Sequence, residues 1–147
     1  MRRTWLLLLA AACATASAPA RDPLPKPDDV VDAVDERCHE FLNLLYQERY
    51  REAAHLLDPS SKRSMGIAQV RGMWLSATRT IGDVVGWHVV DRGGVNGHRR
   101  TLSIAHTIRP TQVVLLYCSA DGTDLTISEA RFDYPGPGSS FRGQPGP

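Results

Sequence analysis

Four β-prone runs fill the second half of the chain: Val84-Val-Gly-Trp-His-Val-Val90, Thr101-Leu-Ser-Ile-Ala-His-Thr-Ile108, Val113-Val-Leu-Leu-Tyr-Cys118 and Leu125-Thr-Ile-Ser-Glu-Ala-Arg-Phe132. Between them lie Gly93-Gly94-Val95-Asn96-Gly97, Arg109-Pro110 and Ala120-Asp121-Gly122. Asn-Gly and Asp-Gly tolerate positive φ, so placed between such runs they signal hairpins. The stretch predicts four antiparallel strands in a meander.

Upstream, the apolar spacing changes from two to three and four. Val30, Val34, Cys38, Phe41 and Leu45 form one helical stripe, with Asp28 or Asp29 as its start and Asp32 in its first turn. A second short helix from about Glu48 places Tyr50, Ala53, Ala54 and Leu57 on one side, and Asp58-Pro59-Ser60 stops it. A third, capped by Ser64, carries Ile67, Val70, Trp74, Ala77 and Ile81 up to Gly82. Helices first and strands after define an α+β class: three N-terminal helices packed on a curved four-stranded antiparallel meander sheet.

The ends of the chain read differently. Met1-Arg-Arg-Thr, an apolar run from Trp5 to Ala12 and the small residues up to Ala20 make a secretory signal, cut after Ala18-Pro19-Ala20. A rival reading takes Ala10-Ala11-Ala12-Cys13 as a lipoprotein box, with Cys13 lipidated and the chain anchored there. Residues 21–27 alternate proline with other residues, an extended linker with no core. Residues 135–147, rich in glycine and proline, form a disordered tail. One domain remains, residues 28–134, exported to the periplasm or beyond.

Loss of the signal takes Arg2 and Arg3 out of the 17 Lys and Arg and leaves 15 against 16 Asp and Glu. A near-neutral chain lacks the basic excess of a nucleic-acid binder. No stretch of the mature chain is apolar for long enough to span a bilayer. Of the three cysteines, Cys38 and Cys118 remain. An oxidising compartment favours a bridge between them, worth about 4 kcal/mol in the chain-entropy account. The alternative is two small apolar core residues. Alternation along Val113–Cys118 puts Cys118 on the face opposite Leu115 and Tyr117, so a bridge needs a bulge there.

The order of these elements, with Phe41-Leu-Asn-Leu-Leu-Tyr-Gln-Glu-Arg-Tyr-Arg-Glu-Ala-Ala54, Val70-Arg-Gly-Met-Trp74, Ile81-Gly82 and Leu125-Thr-Ile-Ser-Glu129, resembles the bacterial family called domain of unknown function 3887. That resemblance implies a nuclear-transport-factor-two-like fold, a cone of helices wrapped by a curved sheet. It licenses a cavity without naming a chemistry.

Catalytic signatures are absent: no Gly-x-Ser-x-Gly elbow, no His-Glu-x-x-His, no Cys-x-x-Cys and no phosphate loop. No cofactor or metal is expected. His39, His55, His88 and His98 read as solvated. His106 is different. Two-residue turns at Asn96-Gly97 and Arg109-Pro110, and a three-residue turn at Ala120-Asp121-Gly122, put Trp87, His106, Val113 and Glu129 in one row. The face they share carries Leu102, Ile104, Leu115 and Tyr117 toward the helices. An imidazole and a carboxylate two strands apart would hold an acid/base site, with Trp74, Trp87, Tyr117, Leu102, Ile104 and Leu115 as walls.

The expected function is a non-catalytic exported domain that binds a small apolar ligand or a protein partner. The rival is a small cofactor-free isomerase, dehydratase or hydrolase using His106 and Glu129. A third reading is a homodimer through an outer sheet face bearing Val114 and Leu116. N-terminal sequencing of the exported protein is expected to begin at Arg21; a lipid-modified Cys13 would replace that reading with the lipoprotein one.

Overall fold

A computed structural model describes residues 21–95, 98–107, 114–121 and 124–133. Residues 1–20, read as a signal with Cys13 as the rival lipidation site, lie outside the described residues, as does the glycine- and proline-rich tail. Over the described residues the chain is α+β, with four helices preceding an antiparallel sheet.

The first helix, α1 (Ala33–Tyr46), starts later than its acids implied. Asp32 is the cap: its carboxylate accepts the Val34 and Asp35 N–H groups, each at 2.9 Å. The helix ends in a Schellman turn, with Glu48 N–H donating to the Leu45 carbonyl and Arg49 N–H to that of Leu44. Glu48 sits there at φ 61°, where glycine is the usual occupant. That turn delays α2 to Tyr50–His55.

Asp58-Pro59 does end a helix, but it also starts another. Asp58 accepts the Ser60 and Ser61 N–H groups, and Pro59 occupies the first turn of α3 (Pro59–Ser64), where a missing N–H costs nothing. Burial works against the Asp58 charge, but the hydroxyls and N–H groups of Ser60 and Ser61 outweigh it and hold its carboxyl at about 2. The long helix α4 (Ile67–Ile81) is therefore capped at Gly66, not Ser64, and stops at Gly82 with φ 85°. Four helices replace the expected three because one proline was read only as a terminator.

The strands are β1 (Val84–Val95), β2 (His98–Thr107), β3 (Val114–Asp121) and β4 (Ile127–Asp133), in the order β1-β2-β3-β4. Val95 pairs with His98, the spacing a two-residue connection requires. Register shifts fall in β1 between Val89 and Asp91 and again between Val84 and Gly86. Each bulge inserts one residue and changes which partner every later residue meets.

Both edge strands are engaged. On β4, Ile127 N–H donates to the Leu56 carbonyl and Asp58 N–H to that of Ile127, which closes a bridge between Leu57 and Ile127. Ser61 Oγ adds a bond to the Ser128 carbonyl at 2.8 Å. On β1, Asp29 Oδ2 accepts the Val89 N–H at 2.8 Å.

The core lies between the helices and one sheet face. Phe41, Leu45, Leu57 and Val70 are buried, and Trp74 packs on Phe132 with ring centroids 5.9 Å apart. From β3 it takes Leu116, Cys118 and Ala120. This is the opposite alternation to the one expected, in which Leu115 and Tyr117 faced the helices. Cys38 of α1 and Cys118 form a disulfide, their Cα atoms 5.9 Å apart, and the bridge needs no bulge because Cys118 already lies on the inner face. Burial of Leu116 also removes it from any outer dimer surface. Among the described residues, no helix is long and apolar enough to cross a membrane.

The 21–27 segment is not a coreless linker. It crosses α1 as a strap, with Leu24 only 5% exposed and its N–H donated to Asn43 Oδ1 at 2.8 Å. Lys26 pairs with Glu36, and Arg21 meets Glu48 and the Tyr46 ring.

Two stability measurements follow from these contacts. Replacing Cys38 and Cys118 together by alanine, which opens a loop of 80 residues, is expected to cost about 4 kcal/mol in denaturant unfolding. An unchanged midpoint would mean the two thiols are not bonded in the folded protein. Glu48→Gly is expected to raise stability by about 1 kcal/mol, since glycine adopts the left-handed turn without a Cβ penalty. A loss instead would show that the Glu48 side chain holds the strap more strongly than its backbone resists the turn.

Candidate binding groove

The expected acid/base row does not assemble. The β1 bulge pairs Trp87 with Ala105 and leaves His106 opposite Gly86. At the other end Glu129 pairs with Ser119, and Ser119 with Arg100. Arg100 and His106 are six residues apart along β2, so the two rows are separated by about 20 Å. The third connection is responsible. β3 continues through Ala120 and Asp121, which had been assigned to a three-residue turn with Gly122. Glu129 is partly exposed and lies 3.4 Å from Arg131.

The expected walls divide into two groups: Leu102, Ile104, Leu115 and Tyr117 share one face of the sheet, as expected, while Trp74 and Trp87 are placed separately. Trp74 and Trp87 are 2% and 5% exposed and have different partners, Phe132 and His39. Leu102 pairs with Tyr117, and Ile104 with Leu115. On β3 that face alternates with the one that buries Leu116, Cys118 and Ala120. Among the described residues, Phe41, Leu45, Trp74, Leu116, Ile127 and the disulfide are buried between the helices and the sheet.

Open volume lies instead on the outside of α1. A groove of about 620 Å³ follows Ala33, Glu36, Arg37, Glu40, Leu44 and Gln47. Positions three and four apart share one helix face, so the groove runs the length of a 14-residue helix, about 20 Å. Pro23 of the strap forms one wall, and Arg49 and Leu125 close the far end. Leu125 is held there at φ 50°, a backbone conformation that side chains rarely adopt. The rim carries both signs of charge, with Arg37 paired to Glu40 at 2.7 Å.

His39 lines the groove and connects it to the sheet. Its ring stacks on Trp87 with centroids 5.1 Å apart. Leu24 N–H occupies Asn43 Oδ1, which turns Asn43 Nδ2 toward the imidazole, and Nδ2 donates to His39 Nε2 at 2.9 Å. Nε2 is therefore the acceptor, and the proton of the neutral ring sits on Nδ1. His39 Nδ1 and Trp87 Nε1 are buried with no hydrogen-bond partner among the described residues. Burial lowers the His39 pKa below 6.5; Glu36 opposes that shift and Lys26 adds to it.

Sequence reasoning missed His39 because it sits beside the apolar stripe and not on it. Asn43 four residues on was a visible partner. The Leu24 N–H that fixes the amide comes from a segment read as extended and unattached. Among the described residues, no group of three or more His, Cys, Asp or Glu is placed to hold a metal ion. No protein-family profile matches the chain, and neither does any curated protein or any solved structure.

Proposed function

We propose that the chain is an exported, non-catalytic domain that docks an extended segment of a protein partner in the groove along α1. The shape of the groove carries this reading. A channel of about 620 Å³ spread over about 20 Å is narrow, and about six residues of extended chain span that length. Its floor is apolar at Ala33, Leu44 and Leu125, and its rim offers both charges to backbone and side-chain polar groups. The apolar residues described between the helices and the sheet are buried against one another, which favours the outer groove over an interior site. The acid/base reading has lost its geometry with the register of Glu129.

Export is supported by the disulfide, since such bonds persist in oxidising compartments. Four helices followed by an antiparallel sheet, with one face packed on the helices, support the resemblance to domain of unknown function 3887 and its nuclear-transport-factor-two-like cone.

A photo-crosslinking residue at exposed Ala33, in protein expressed in its own envelope, tests the groove. Val85, 52% exposed on β1, serves as the control position. A polypeptide adduct at 33 and not at 85, lost when Glu40→Arg reverses the rim charge, is the expected result. Native mass spectrometry that finds a retained small molecule and no polypeptide would establish the small-ligand reading instead.

A further inference from the structure

We infer that the strap is a proton-operated latch: protonating His39 at Nε2 unfastens Leu24 through Asn43 and opens one wall of the groove. As regulation of that groove it rests on the reading above, whereas the release of the strap does not.

The hydrogen bonds run in one direction. Leu24 N–H donates to Asn43 Oδ1, and Asn43 Nδ2 donates to His39 Nε2. The chain ends on a single lone pair, and an imidazolium has none to offer. Once a proton from solvent occupies Nε2, two donors face each other. Rotating the Asn43 amide relieves that contact by presenting Oδ1 to the ring, but it then sets Nδ2 against the Leu24 N–H. One proton on α1 thereby breaks a bond to a residue 19 positions upstream.

The surrounding charges favour the same outcome. On the strap, Lys26 neutralises Glu36 while docked. If the strap lifts, Glu36 is left on the same helix face as the imidazolium, three residues away, where the two attract. Elsewhere on α1 the Arg37–Glu40 pair is internally balanced. On the β1 side His39 meets the uncharged Trp87 ring, and Asp29 is engaged with the Val89 N–H. Leu24 burial and the Lys26–Glu36 pair hold the middle of the strap, and two further contacts hold its Arg21 end: Gln47 Nε2 donates to the Arg21 carbonyl at 3.3 Å, and Arg21 lies 3.7 Å from Glu48. Loss of the Leu24 bond loosens that middle while the Arg21 end stays tethered.

The sign of the pH dependence follows from burial. The folded protein binds the His39 proton less readily than an unfolded chain does. The docked state therefore has its full stability above 6.5 and loses it as pH falls through that value and on through the lower pKa of the folded protein.

NMR of the isotopically labelled full chain from about pH 8 to about pH 4.5 tests the latch with no partner present. The Leu24 amide and the His39 ring are expected to titrate with one midpoint, and the Leu24 exchange protection factor is expected to fall at least about fivefold, the effect of losing one hydrogen bond. His39→Gln retains an acceptor but cannot take the proton, so its Leu24 protection is expected to stay flat. A Leu24 amide indifferent to the His39 titration would overturn the latch, as would equal loss of protection in His39→Gln. If that variant does not fold, coincidence of the two wild-type midpoints decides alone. Failure of the groove reading would show only in the crosslinking, and failure of the latch only here.

Discussion

The bond between Cys38 and Cys118 decides which side of the sheet is inside. Cys38 lies on the buried stripe of α1, so Cys118 must face that stripe, and strand alternation then commits Leu116 and Ala120 to the same side. The rest of the core follows: Trp74 of α4 finds Phe132 on β4, and Ile127 reaches back to the turn between α2 and α3. A covalent constraint that spans most of the domain also relieves a modest core of part of the stabilising work, since it limits how far the unfolded chain can spread.

Much of this architecture was legible in the residues. The stripe from Val34 to Leu45 and the stripe from Val70 to Ala77 are both buried, because a 3.6-residue period is a property of the helix itself. The sheet was legible only in pieces. Val95 opposite His98 follows from local turn chemistry, but a bulge near Val89 has no strong signature, and it shifts Trp87 by one partner. Asp121-Gly122 looked like a turn centre, yet β3 runs through Asp121. That misreading displaced Glu129 by several residues and created a site that does not exist. Errors of register are worse than errors of boundary, because period two turns a single slip into an exchange of faces.

The groove was the least legible part for a different reason. Its floor is one face of α1, but its wall is the strap, and the two are joined by a backbone N–H that any residue at position 24 other than proline would supply. Composition alone marks that segment as unattached. What holds it is Leu24 entering the core and two ion pairs whose partners lie on α1 and just beyond it. Such coupling is tertiary throughout, and it appears only once both elements are placed.

The two edges of the sheet are treated differently, and this bears on how copies of the protein behave toward one another. At its first residue the β4 edge spends the Ile127 N–H and carbonyl on Leu56 and Asp58, so a strand added at that point would unseat the corner between α2 and α3. The β1 edge is longer, and the bulge bends it where Asp29 takes the Val89 N–H. A strand from another molecule approaching that point meets a carboxylate where its own carbonyl would need a donor. Strand addition is thus opposed at Ile127 by occupancy and at Val89 by charge, one point on each edge where a second copy could otherwise begin to pair.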